Sequence, residues 1–156
     1  MKRAAVLLTV FIPLFALADE ASDLQASALN GKKIFTATCI ACHQATGNGL
    51  PGAFPPLNGS EYIQGDPRRL VAIVTKGLVG PLTVKGKKFN SVLIAVDTQF
   101  PVLKDNQKLA DVLNYVRTSW ENKADKAITA DFIEKVRAEF KDRTKPWTEA
   151  EVLNFK

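Results

Sequence analysis

Residues 36–49 read TATCIACHQATGNG. They hold Cys39, Cys42 and His43, the only two cysteines and the only histidine among 156 residues. A chain that confines its thiols and its imidazole to one short stretch uses them together. Cys-x-x-Cys followed directly by His is the spacing of covalent haem attachment. Two thiols one helical turn apart reach the two vinyl groups on one porphyrin edge. The histidine beside the second thiol is then carried under the ring, where an imidazole nitrogen reaches iron. The competing readings are weaker. A thioredoxin-like redox pair follows a strand in a βαβ setting, which the preceding residues do not offer. A structural zinc ion takes four nitrogen or sulfur ligands, and three are present. A Cys39–Cys42 disulfide would close a loop too short to restrict the unfolded chain much.

On either side, the chain reads as helices separated by two long loops. Upstream, a helix is expected from near Ser27 into the motif, with Gly31, Phe35 and Cys39 four apart on one face. Gly31 costs that helix about 1 kcal/mol against alanine, so its place predicts a second helix at close range. Downstream, QATGNGLPGAFPPLNGS (44–60) is too rich in glycine and proline for a regular element. Asp66 and Pro67 then open a helix that ends at Gly77, with Leu70, Ile73 and Val74 on its apolar face. Residues 79–103 read as a second long irregular stretch with β-like patches. Leu109, Val112, Leu113 and Val116 follow the i, i+3, i+4, i+7 pattern of an amphipathic helix. A further helix begins at Thr129 with Phe132, Ile133, Val136 and Phe140 inward, and Thr148 to Glu151 forms a capping-box pattern. The expected fold is all-α: four to five helices wrapped around one covalently bound haem. The haem supplies the flat apolar surface that the two loops lack.

The N-terminus reads as an export signal. Lys2 and Arg3 precede AAVLLTVFIPLF and then Ala16-Leu17-Ala18, a charged region, an apolar region and a small-residue cleavage site. The apolar run is short of the roughly 20 residues of a membrane span. The expected organisation is a signal peptide at 1–18, a flexible polar lead at 19–26, a core domain at 27–122 and a C-terminal helical extension at 123–156. The location implied is periplasmic, with no membrane span left after cleavage. The formal charge is +5, of which Lys2 and Arg3 supply two. That mild excess forms no basic stripe for nucleic acid, and it suits docking on an acidic protein rim.

GKKIFTATCIACHQATGNGLPGAFPPLNGSEY, GDPRRLVAIVTKGLVGPLTVKGKKFN and LADVLNYVRTSW, with the tail VRAEFKDRTKPWTEAEV, together resemble class I c-type cytochromes. The resemblance implies one haem c per chain, with Cys39 and Cys42 as its thioethers and His43 as the proximal iron ligand. It implies that a carbonyl at Pro55 takes the other ring nitrogen of His43. It has Gly31 and Phe35 crossing the 107–120 helix near Tyr115. Tyr62 and Arg69, beside the loop, become candidates for the haem propionates. Trp120 and Trp147 read as packing residues. The work implied is single-electron transfer between protein redox partners that dock transiently at the haem edge, by a monomer.

One position departs from the family pattern. The sixth ligand there is a methionine in a segment similar to Asn-x-x-Met-Pro. Here the text is Asn90-Ser91-Val92-Leu93-Ile94, and the only methionine is Met1. Three arrangements remain: five-coordinate iron with Leu93 as an apolar distal wall; ligation by Lys85, Lys87, Lys88 or Lys104 after loss of a proton; or water, Asn90 or another weak donor. Each lowers the reduction potential below that of methionine-ligated relatives. An open distal site would bind a small gas or peroxide, making the protein a sensor or weak peroxidase. A third reading is the haem subunit of a larger dehydrogenase complex. No nucleophile–base pair is visible, so an electron carrier is favoured over an enzyme.

Overall fold

The computed structural model describes residues 14–155, so most of the expected leader, positions 1–13, lies outside the described residues. The first helix, α1, runs Leu14–Thr38 and is followed at once by the short α2, Ile40–His43. After the 44–60 loop come α3 (Arg68–Lys76), a β-hairpin of β1 (Leu78–Val84) and β2 (Lys87–Leu93), and α4 (Val96–Gln99). A 3-10 turn at Pro101–Lys104 leads into α5 (Asn106–Thr118), and α6 (Ala130–Glu139) and α7 (Glu149–Leu153) complete the chain.

Two expectations are corrected. The segment 19–26 is not a separate lead but part of α1, which starts well before Ser27. Its residues, EASDLQA among them, are mostly good helix formers, and the helix is anchored on α5. Leu24 is buried, and Ser27 Oγ donates to Asp111 Oδ1 at 2.6 Å. The second correction concerns 79–103, which is not one irregular loop. Its first half is an antiparallel hairpin with Leu82 opposite Phe89 and Val84 opposite Lys87. The turn residues Lys85 and Gly86 both take positive φ, 49° and 71°, the conformation of a two-residue turn that matches strand twist. The fold is thus helical with one small sheet.

α1 and α5 form the central crossing. A Cβ on Gly31 would collide with the Asp111 carbonyl and lie 2.9 Å from Tyr115 Cβ, so only glycine permits this approach. Below it, the Phe35 and Tyr115 rings meet at 5.2 Å with their planes tilted by 53°, and both contact Trp120 edge-on. Phe35, Leu109, Leu113 and Val116 are buried there with Ile133 and Val136 of α6, and Cys39 packs at the margin of this core. Asn114 is fully buried and satisfied: Nδ2 donates to the Ile128 carbonyl at 2.8 Å, and its Oδ1 accepts from Ile128 N at 2.8 Å. This pairing turns the chain from α5 towards α6.

A second apolar cluster joins Tyr62, Ile73, Leu78, Leu82, Val84 and Phe89 to Trp147 and Val152, with Leu93 packed against it. Trp147 runs beside β1 as a fragment of a third strand. Its N donates to Gly77 O at 3.0 Å and its O accepts from Val79 N at 2.8 Å. The residues beyond 122 therefore fold back over α3, α5 and the hairpin.

Candidate haem site

The motif occupies the break between α1 and α2. Cys39 ends the first helix with its N donating to Phe35 O, and its own carbonyl accepts from Cys42 N and His43 N. That single turn sets both thiols and the imidazole on one short rigid piece of backbone. Cys39 and Cys42 are free and half-buried. Burial pushes the Cys39 thiol up, and neighbouring Cys42 adds to this against a lowering bond from Thr38. Among the described residues, no group of three or more His, Cys, Asp and Glu is arranged to hold a bare metal ion.

His43 Nδ1 lies 3.2 Å from the carbonyl oxygen of Pro55. A carbonyl only accepts, so Nδ1 carries the proton and Nε2 keeps its lone pair. Burial pushes the imidazole pKa down, against a smaller upward effect of the Pro55 bond, and the neutral ring is the form that binds metal. The loop is shaped to present that carbonyl. Gly49 has φ 64°, and a Cβ there would strike the Phe54 and Pro55 carbonyl oxygens. Gly49 N also donates back to His43 O at 3.1 Å. Two thiols, an oriented neutral imidazole and an apolar margin fit a covalently held haem. His43 and the thiols would hold it, and its iron supplies a one-electron couple.

Asn122, not picked out from the sequence, and Trp120 hold this loop from behind. Buried Asn122 donates to Leu57 O and Val116 O at 3.0 and 2.8 Å and accepts from Gly59 N at 2.9 Å. Trp120 Nε1 donates to Ala45 O at 3.0 Å. Trp120 was expected only as packing; it also braces the loop. Nothing local in the sequence marks Asn122, because its partners are backbone groups far along the chain.

Tyr62 and Arg69, the two candidates for propionate contacts, both have partners within the protein. Tyr62 Oη donates to Glu149 Oε1 at 2.6 Å. Arg69 gives Nε to Val152 O at 2.8 Å and Nη1 to Glu61 O and Gln64 O at 2.9 and 3.1 Å. Both side chains tie the region after the loop to the C-terminal segment. Glu149 also accepts from Thr83 N at 2.6 Å. The Tyr62 hydroxyl and then the Thr83 amide hold its carboxyl below the usual value of 4.5. A depressed acid contributes stability that is complete above its ordinary pKa and lost as pH falls through the lower folded value. Glu149→Gln is therefore expected to unfold at lower urea than the parent at pH 7, with the gap closing on titration below about pH 4.5. A gap independent of pH would remove the carboxylate charge from this account.

Leu93 ends β2, half-buried against the second apolar cluster. Of the lysines weighed as ligands, Lys85 Nζ is held by Asn58 O at 3.2 Å and lies 3.7 Å from Glu121. Lys104 lines a surface cavity of about 420 Å³ with Lys76, Asp97 and Arg137. Lys87 and Lys88 are exposed at the start of β2.

Fold and donor set define a haem-bearing chain built on the crossed helices α1 and α5. It belongs to the cytochrome c family, whose profile matches residues 28–120. It is 40% identical over 117 residues to cytochrome c-552 of Thermus thermophilus, covering 70% of this chain and 85% of that one. It is 34% identical over 111 residues to the cytochrome c subunit of the quinone alcohol dehydrogenase of Gluconobacter oxydans (strain 621H). It is 30% identical over 119 residues to the gluconate 2-dehydrogenase cytochrome c subunit of Pantoea cypripedii. These matches cover 69% and 73% of this chain but only 22% and 24% of those relatives. The protein is thus a class I c-type cytochrome that carries covalent haem c and transfers electrons. Among the described residues no helix is long and apolar enough to cross a membrane.

Proposed function

We propose that Cys39 and Cys42 carry the haem thioethers, that His43 Nε2 binds the iron, and that the protein shuttles single electrons between periplasmic protein partners as a monomer. The observation that carries this is the His43–Pro55 hydrogen bond at 3.2 Å, which leaves Nε2 as the free donor beside both thiols. Export is read from the pattern of residues 1–18. The dehydrogenase subunits among the relatives support redox docking on a larger enzyme as the source of electrons. Charge complementarity would serve such docking through association rate more than affinity.

The test is expression with its leader in a host competent for haem maturation. The expected product is red, with mass increased by one haem and no titratable thiol, and Cys42→Ser lacks one thioether. A colourless product with two free thiols overturns the reading.

Leu93, at the place where relatives carry methionine, favours a second property: an iron without a protein ligand on its distal side. A difference spectrum of the reduced protein with CO decides it. Fast, complete uptake is expected, and no uptake means that an internal ligand is present.

A further inference from the structure

The segment 78–104 leaves the body of the protein at Gly77, passes through Leu93 and returns at α5. In a methionine-ligated chain, a bond to iron would pin such a segment near its middle. Leucine makes no such bond, so something else must hold the stretch. The C-terminal segment grips it at both limbs. On the outgoing limb, Trp147 exchanges backbone bonds with Gly77 and Val79 at 3.0 and 2.8 Å, and Glu149 takes the amide of Thr83 at 2.6 Å. On the returning limb, Arg137 Nη1 donates to Asp97 Oδ2 at 2.7 Å and Nη2 to Leu103 O at 2.7 Å. Asp97 lies four residues beyond Leu93, and its side chain is only 9% exposed.

The chemistry of Arg137 suits a holding role. Its planar fork makes two fixed bonds from one side chain, to a carboxylate and to a carbonyl six residues apart. Its Nε is buried with no hydrogen-bond partner, a desolvation cost that the other two bonds must offset. Loss of the guanidinium would remove both the ion pair to Asp97 and the bond to the Leu103 carbonyl.

We propose that Arg137 is a positioning residue: through Asp97 and Leu103 it fixes the returning limb of the distal segment, and so governs access past Leu93 to the iron. The proposal rests on the reading that Leu93 stands over an open coordination position. The alternative is that the C-terminal segment only adds stability. The two differ in a quantity that stability alone does not move.

The experiment is flash photolysis of CO from the reduced, full-length holoprotein. Arg137→Gln is compared with Leu24→Ala, which opens a cavity on α1, whose main neighbour is α5, and lowers stability without touching the distal segment. Arg137→Gln is expected to speed CO rebinding by about fivefold, a mid-sized change in coupling, whereas Leu24→Ala stays near the parent rate. Arg137→Lys, which keeps the charge but loses the fork, should fall between. If Arg137→Gln yields no folded holoprotein, Asp97→Asn carries the same comparison. Equal rates in Arg137→Gln and Leu24→Ala overturn this proposal alone. Absence of CO uptake by the parent protein overturns the open-site reading and this proposal with it.

Discussion

Replacing Leu93 by methionine is expected to raise the reduction potential by on the order of 100 mV and to abolish CO uptake. A thioether is a soft donor that favours the reduced iron, and axial ligand identity spans about 0.8 V across haem proteins. For one electron, 100 mV corresponds to about 2.3 kcal/mol. The substitution itself is mild. Leucine and methionine have nearly the same volume, so the exchange should cost under about 1.5 kcal/mol. The unbranched methionine side chain can also follow a gap that leucine cannot. Leu93 is half-buried against the hairpin cluster rather than locked in a fully closed core, which leaves room for the new side chain to turn. The measurement is a redox titration of parent and variant with CO difference spectra of both. An unchanged potential together with unchanged CO uptake would show that residue 93 does not face the iron. An unchanged potential in a parent that already refuses CO would point to an internal ligand in the native chain. Of the lysines weighed, Lys87 and Lys88 remain the freest, since Lys85 is already engaged by Asn58.

What could be read from the sequence was local. The motif residues sit within one turn and so were legible, whereas the His43–Pro55 contact was implied by the family resemblance. The helices α3, α5 and α6 declared themselves by apolar spacing and by Asp66 and Thr129 at their starts: Asp66 Oδ1 accepts from Arg68 N, and Thr129 Oγ1 from Phe132 N. The hairpin was not legible. Pro81 and Gly80 interrupt β1, and its turn is Lys-Gly rather than the Asn-Gly that marks such turns. Its inward side chains Leu82, Val84 and Phe89 find their cover in Trp147 and Val152, more than fifty residues on. The same distance hid the partners of Tyr62 and Arg69. Placed beside the loop by sequence, they looked available to a propionate, yet Glu149 and the Val152 carbonyl claim them. The early start of α1 was missed for another reason. DEASDLQAS is polar enough to read as a lead, yet Leu24 is buried and Ser27 bonds Asp111 of α5, 84 residues on.

Gly31→Ala is expected to destabilise the protein by about 3 kcal/mol and to lower Tm by roughly 10 °C. Two effects oppose each other at this position, and their sizes decide the sign. Alanine raises helix propensity by about 1 kcal/mol over glycine, so an exposed site would gain stability. Against that, a Cβ here would overlap the backbone carbonyl of Asp111 and sit 2.9 Å from Tyr115 Cβ. Backbone cannot swing aside as a flexible side chain can, so α1 must lift away from α5. That movement would break the Ser27–Asp111 bond of 2.6 Å and loosen the Phe35–Tyr115–Trp120 cluster. It would also reach the haem site, because Phe35 and Cys39 follow Gly31 on the same face of the helix. The yield of covalent holoprotein should therefore fall along with Tm. Asn30→Ala is the control. It is the neighbouring, exposed position, where the same added propensity meets no clash, and its Tm should equal or exceed the parent's. If Gly31→Ala matched that control in both Tm and haem yield, the close crossing of α1 and α5 would not be what holds the attachment turn in place.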